Sequence, residues 1–225
     1  MLRFTCQDIQ KEFIRKYQEK EFVTDKTGCK TVEIINASFL VDRDWLIRKP
    51  NYDYFNAELE WYSRGVPNIN DLYKGEKPPP KAWIASADKH GNINSNYGYL
   101  IWSEKYRNQY ENCFQELKKN PDSRRAVMIY TRPDIWVEYN ENGKSDFICT
   151  FANQFFIRNG KLDSLYILRS NDSTFGYCND VLWAMHVQKL LANDLQVPIG
   201  NLYWAAGSLH VYERDFKYLE NPIIE

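Results

Sequence analysis

Cys149 stands in the run Phe147-Ile148-Cys149-Thr150 and is followed by a polar residue. Cysteine is among the most buried residue types, and most strand cysteines are inert core filler. A cation beside such a thiol lowers its pKa and raises the thiolate fraction, the form that attacks carbon. The run FICTFANQFFIRNGKLDSLYILRS (147–170) reads as two strands joined by Asn159-Gly160, a strong hairpin signal. The returning strand ends on Arg169 and Ser170 and is expected to deliver Arg169 to the sheet that carries Cys149. The stretch RSNDSTFGYCND (169–180) then opens on that cation and closes on Asn179 and Asp180. Loops are polar in any case, but Arg169 and Asp180 could also hold the two ends of one small molecule.

Other candidates are weighed in the same way. Arg124 and Arg125, in PDSRRAV, stand at a loop-to-strand junction. Adjacent arginines are usually a solvated edge; with Arg169 they could also surround one dianion, because guanidinium forks match phosphate. The chain has no GxxxxGK[ST] loop, so arginines would have to do that work. Glu58, in AELEWY, falls on a face with apolar neighbours, and Glu60 lies nearly opposite. Helix glutamates are normally solvated, whereas a partly buried one has a raised pKa and can serve as general acid or base. His210 and Tyr212 alternate on the last strand and share a face, as sugar ligands or as a satisfied core pair.

The elements that must position these residues are legible as periodicities. Residues 7–19 place Ile9, Phe13, Ile14 and Tyr17 on one helical face. Residues 31–41 and 126–132 read as strands, 51–62 as a helix, and 97–120 as one helix ended by Asn120-Pro121-Asp122. Residues 180–195 form an amphipathic helix and 201–212 a last strand. KGEKPPPKAW (74–83) reads as a surface loop. Hairpins mixed with long helices predict an α+β fold, a mixed or antiparallel sheet covered by helices, in a single domain over residues 1–225.

Composition bounds the partners. The chain has 29 basic against 30 acidic residues, so no general polyanion-binding surface is implied and direct nucleic-acid binding is not expected. Five cysteines form no CxxC pair, and with three histidines they give no zinc spacing, so no metal is expected. There is no apolar signal region and no run of about 18 apolar residues. The expectation is a soluble, reducing, cytoplasmic protein without a membrane partner.

Seven blocks in order make these pieces specific together: DKTGCKT (25–31), AELEWY (57–62), GNINSNYG (91–98), PDSRRAV (121–127), Cys149, RSNDSTFG (169–176) and GSLHVY (207–212). In that order and spacing the chain resembles the thymidylate synthase superfamily, and within it the phage enzymes that hydroxymethylate deoxycytidylate. The resemblance implies a homodimer packed through its sheet, and 5,10-methylenetetrahydrofolate as co-substrate. It assigns Cys149 as nucleophile, and Lys26, Arg169 and Ser170 to the nucleotide phosphate. Arg124 and Arg125 are assigned to the phosphate of the neighbouring subunit, His210 and Tyr212 to the sugar. Glu58 and Tyr97 would organise water and proton transfer. Trp83, Asp172 and Gly176 would lie along the folate. It further implies a host-cytoplasmic phage enzyme and allows a nucleotide-synthesising complex.

Several departures point away from plain thymidylate synthesis while leaving the fold expectation intact. The family's Pro-Cys-His is Ile148-Cys149-Thr150, its phosphate-loop arginine is Lys26, and the second tryptophan of its Trp-x-x-Trp is Ser86. The chain ends at Glu225 with no recognisable form of the tail that closes over folate. The pyrimidine reader of thymidylate synthases is an asparagine eleven residues after the phosphate-binding arginine, and counting eleven from Arg169 gives Asp180. Uracil presents a ring N–H donor beside a carbonyl, which one amide satisfies. Cytosine presents a ring nitrogen beside an amino donor, which suits a carboxyl group. The implied reaction is Cys149 adding to carbon 6 of dCMP, one-carbon transfer to carbon 5, and addition of water to give 5-hydroxymethyl-dCMP. The alternatives are a dCMP methylase, a CMP hydroxymethylase, a thymidylate synthase acting on dUMP, and a non-catalytic nucleotide-binding or scaffold protein.

Overall fold

The computed structural model describes residues 4–223. Along the chain run α1 (Cys6–Gln18), β1 (Phe22–Thr24), β2 (Lys30–Leu40), α2 (Tyr52–Arg64), α3 (Lys81–Ser86), α4 (Tyr97–Trp102) and α5 (Gln109–Lys119). There follow β3 (Val127–Ile129), α6 (Ile135–Glu138), β4 (Thr150–Arg158), β5 (Lys161–Asp172), α7 (Gly176–Asp194), β6 (Ile199–Tyr212) and α8 (Lys217–Glu220). Cα packing separates two compact units, Met1–Pro50 with Arg158–Glu225, and Asn51–Ile157.

In the first unit β1, β2, β6 and β5 stand side by side in that order. The β1/β2 and β2/β6 pairs are antiparallel and β5/β6 is parallel, so the sheet is mixed. A parallel pair cannot be closed by a tight turn, and α7 supplies the crossover. Along β5, Leu162, Ser164, Tyr166 and Leu168 are buried and alternate with half-exposed residues, the period of two that a sheet imposes. Tyr166 and Trp204 stack at 4.8 Å between β5 and β6, and Tyr177 of α7 meets Trp204 edge-on at 5.1 Å. α7 starts at Gly176, four residues before its expected start, so Asp180 lies in its second turn. Asn159 and Gly160 both have positive φ, 52° and 71°, as a two-residue hairpin turn requires. α1 begins at a reciprocal capping box between Thr5 and Asp8.

In the second unit α2 packs on α4, α4 on α5 and α5 on β3, and β3 pairs antiparallel with β4. Gly98 makes the first contact possible: a Cβ there would fall 1.9 Å from the Tyr62 carbonyl oxygen of α2. Two sequence expectations are corrected here. Residues 97–120 are not one helix. Arg107 and Asn108 take left-handed φ values of 67° and 42°, and Asn108 caps α5 by accepting from the Glu111 N–H. An asparagine that tolerates positive φ and satisfies an orphan N–H is better placed at a helix start than inside one. Cys149 does not lie inside a strand but directly before β4, which starts at Thr150. Asp146, three residues earlier, accepts from the backbone N–H groups of Asn94 at 2.6 Å and Ser95 at 2.8 Å, and this pins the approach to the cysteine.

Candidate active site

In the second unit the side chain of Asn51 caps α2 by accepting from Tyr54 N at 3.1 Å, and the helix then places Tyr54 and Glu58 one turn apart on one face. The Tyr54 hydroxyl donates to Glu58 Oε1 at 2.5 Å. The indole N–H of Trp83, on α3, lies 2.8 Å from the Tyr54 oxygen and 3.3 Å from Glu58 Oε1. Glu58 is 4% exposed, while Glu60 is exposed and paired with Arg64 and Lys74, so the two carboxylates have the contrast expected from the sequence. Burial raises the Glu58 carboxyl from 4.5 to about 7, against the opposing pull of the hydrogen bonds from Tyr54 and Trp83. Burial and the adjacent carboxylate push the Tyr54 hydroxyl upward, so it remains a donor. A carboxyl poised near neutral pH can both give and take a proton.

Cys149 is half-buried between the fully buried Ile148 and Thr150. Cys6, Cys113 and Cys178 are buried and Cys29 is exposed. Burial pushes the thiols of Cys113 and Cys178 up to about 12, which makes them poor nucleophiles. Thr150 donates to the Tyr97 hydroxyl at 2.9 Å, so the residue after the cysteine holds Tyr97. The Tyr97 ring lies 5.6 Å from that of Tyr62 and 5.1 Å from that of Tyr130. Arg124 and Arg125 are both exposed, and Arg125 forms an ion pair with Glu116 at 3.1 Å.

In the first unit Arg169 and Ser170 lie near the end of β5, both half-buried. Parallel pairing with β6 sets Ser170 beside Ser208 and Asp172 beside His210. The chain then turns into α7: Asp172 accepts from Thr174 N at 2.8 Å and lies 3.5 Å from Arg214. Asn171 donates to Asp180 Oδ2 at 2.8 Å. Gly176 is one helical turn before Asp180, and a Cβ on it would sit 3.3 Å from the Asn171 amide and 3.8 Å from Asp180 Oδ2. Asp172, Gly176 and Asp180 are therefore grouped, with Asn171 among them. The rings of His210 and Tyr212 meet edge-to-face at 4.8 Å, on one face as expected. Burial lowers the His210 pKa, against the opposing effect of Asp172 and Glu33. Lys26 is exposed in the turn between β1 and β2. Asp25 organises that turn by accepting from Thr27 N at 2.7 Å and Cys29 N at 3.1 Å.

The sequence profile described as thymidylate synthase matches residues 7–224. The chain belongs to the thymidylate synthase family. It is similar to the deoxycytidylate 5-hydroxymethyltransferase of Enterobacteria phage T4, 43% identical over 224 residues that cover 96% of this chain and 90% of that one. It is also similar to a putative thymidylate synthase of Methanocaldococcus jannaschii, 31% identical over 205 residues covering 90% and 86%. The crystal structure of thymidylate synthase from T4 phage superposes with a TM-score of 0.77 at 20% identity, over 97% of this chain and 80% of that one. That likeness establishes the α+β fold of thymidylate synthases for this chain.

Enzymes of the thymidylate synthase family transfer one-carbon units from methylenetetrahydrofolate. Asp172 and Gly176 are among the residues expected to lie along that co-substrate. Asn171 Oδ1, Ser173 Oγ and Thr174 Oγ1 are buried without a hydrogen-bond partner among the described residues, beside Asp172 and Gly176. An unmet buried polar group costs about 1–3 kcal/mol, so a polar ligand fits this segment. Among the described residues no group of three or more His, Cys, Asp or Glu side chains could hold a metal ion, and no helix is long and apolar enough to cross a membrane.

Sequence reasoning missed Tyr54 and Asn171. The Tyr54/Glu58 spacing of four was a usable signal, because helix residues so spaced share a face. The Asn171–Asp180 contact had none, since it depends on the angle at which β5 turns into α7.

Proposed function

We propose that the chain is a folate-dependent deoxycytidylate 5-hydroxymethyltransferase, with residues 1–225 acting as one catalytic domain of a homodimer. The observation that carries this reading is the carboxylate of Asp180, eleven residues after Arg169 and accepting from Asn171 at 2.8 Å, to which we assign the reading of the pyrimidine. A carboxyl group accepts from the cytosine amino group and shares a proton with the ring nitrogen, and such charge-assisted bonds are strong. The 43% identity to the T4 phage deoxycytidylate 5-hydroxymethyltransferase supports the same substrate.

Lys26, Arg169 and Ser170 hold the 5′-phosphate, together with the partner subunit's Arg124 and Arg125; His210 and Tyr212 hold the sugar. The Cys149 thiolate adds to carbon 6, and a proton shared between Asp180 and the ring nitrogen draws electrons from that carbon. Carbon 5 becomes nucleophilic. Methylenetetrahydrofolate, when bound, supplies the one-carbon unit that carbon 5 takes and would depart as tetrahydrofolate; carbon 5 loses its proton, and the bond from Cys149 to carbon 6 breaks once water has added. Trp83 has its indole N–H committed to Tyr54 and Glu58, which leaves its ring to stack along the folate, and Asp172 and Gly176 are assigned the same role. Glu58, with its carboxyl near 7, takes the proton of the water that completes the hydroxymethyl group, and Tyr97 orders that water.

The test is incubation with methylenetetrahydrofolate and either dCMP or dUMP, reading product mass and tritium release from carbon 5. The expected product is 5-hydroxymethyl-dCMP without dihydrofolate, and Cys149→Ser abolishes tritium release. A methyl product, a preference for dUMP, or dCMP binding without hydrogen exchange would overturn the proposal.

A further inference from the structure

Glu33, Ser208 and His210 form a chain of side chains of which the reaction above uses only the histidine. Glu33 stands opposite His210 in the antiparallel β2/β6 pair, and Ser208 precedes His210 by two residues, so all three share one face. The Ser208 hydroxyl donates to Glu33 Oε1 at 2.5 Å, and its oxygen lies 3.3 Å from His210 Nδ1.

A serine hydroxyl has one proton, and an ionised carboxylate can only accept. With its proton committed to Glu33, Ser208 offers Nδ1 a lone pair alone. The hydrogen bond at Nδ1 then requires the proton to be on the ring. A backbone hydrogen bond at Ser208 favours the protonated ring, without deciding between the two nitrogens. Burial, with 7% of the residue exposed, works against the doubly protonated imidazolium; the Asp172, Glu33 and Asp25 carboxylates facing the ring oppose that effect only in part. One ring proton remains, and a neutral imidazole protonated at Nδ1 carries its lone pair on Nε2.

We propose that Glu33 and Ser208 are positioning residues that hold His210 as the Nδ1–H tautomer, so that Nε2 accepts a hydrogen bond from a hydroxyl of the nucleotide sugar. The sugar-facing half rests on the role given to His210 under the proposed function; the tautomer does not. The consequence is selectivity for a sugar with a free hydroxyl donor at that point. The Nε2–H tautomer, which histidine favours in water, would instead ask the ligand for an acceptor.

Nitrogen-15 NMR of the imidazoles tests this directly, because the chain has three histidines and a His210→Gln spectrum assigns the third. The wild type is expected to show a protonated Nδ1 and an unprotonated Nε2 at His210. Ser208→Ala is expected to shift the ring toward Nε2–H, and Glu33→Gln to do so in part, since a glutamine amide can donate to Ser208 and release its proton. A wild-type ring protonated at Nε2 overturns the proposal, as does an Nδ1–H ring that persists in both variants. In binding, dCMP, whose 3′-hydroxyl can donate, is expected to exceed 3′-fluoro-dCMP, which can only accept, by roughly tenfold in the wild type, and the ratio to narrow in Ser208→Ala, where an Nε2–H ring needs only an acceptor. If the tautomer is as expected but dCMP leaves the His210 signals unmoved, the sugar-facing half is overturned, whatever becomes of the assigned reaction.

Discussion

Replacing Glu58 by glutamine removes a buried ionisable group while keeping its shape and its acceptor oxygen for Tyr54. Burial disfavours the charged form and raises the carboxyl to about 7 in the fold, from an ordinary value of 4.5. A folded-state pKa raised on an acid means that ionisation opposes folding. Below about pH 4.5 the group is protonated in both states and nothing is lost. As pH rises from there the unfolded chain ionises first, and the native state loses stability until the folded group also ionises near 7. Raising the carboxyl from 4.5 to about 7 corresponds to about 3 kcal/mol of stability lost on ionisation. With only 4% of the residue exposed, solvent screening does not call for a discount. The assay is urea denaturation of wild type and Glu58→Gln between pH 4.5 and 8.5 at one protein concentration, since subunit association would shift apparent stability. The stability difference is expected to move in favour of glutamine by about 3 kcal/mol across this range and to flatten above pH 7. Turnover should fall by about 10²–10⁴-fold over the same range, as for loss of a positioned proton carrier. A stability difference that stays constant with pH, or that drifts in favour of the wild type as pH rises, would refute the argument that burial governs this carboxyl.

Three further outcomes are expected. Asp180→Asn should lower kcat/KM for dCMP by about 10²-fold and raise that for dUMP, because an amide matches the ring N–H and carbonyl of uracil; parallel assays on both nucleotides measure the ratio. Gly98→Ala should destabilise the protein by about 3 kcal/mol or more, seen as a lowered Tm, because a Cβ would sit 1.9 Å from the Tyr62 carbonyl oxygen and backbone must move. Brief alkylation at pH 7.5 followed by peptide mass mapping should label Cys149 and Cys29, while Cys6, Cys113 and Cys178 stay protected by burial and raised thiol pKa values.

Local chemistry was legible from the chain alone. The Asn159-Gly160 turn follows from two residues that tolerate positive φ, and the opposite fates of Glu58 and Glu60 follow from helical periodicity. His210 and Tyr212 had to share a face because a strand repeats every two residues. Asp180 was singled out by counting eleven residues from Arg169, a spacing that the chain itself displays. The break at Arg107-Asn108 was hidden because the apolar spacing of 97–120 continues across it, while capping decides where the helix restarts.

Contacts between residues that no local period relates were decided only by tertiary structure. Asn171 meets Asp180 because a strand turns into a helix at one angle, and Ser208 meets Glu33 because β2 and β6 pair in one register. The shift of the Glu58 carboxyl toward 7 belongs to the same class. Composition and spacing specify that a carboxylate is there, but its pKa depends on how much water the packed neighbours exclude, and only the folded chain sets that.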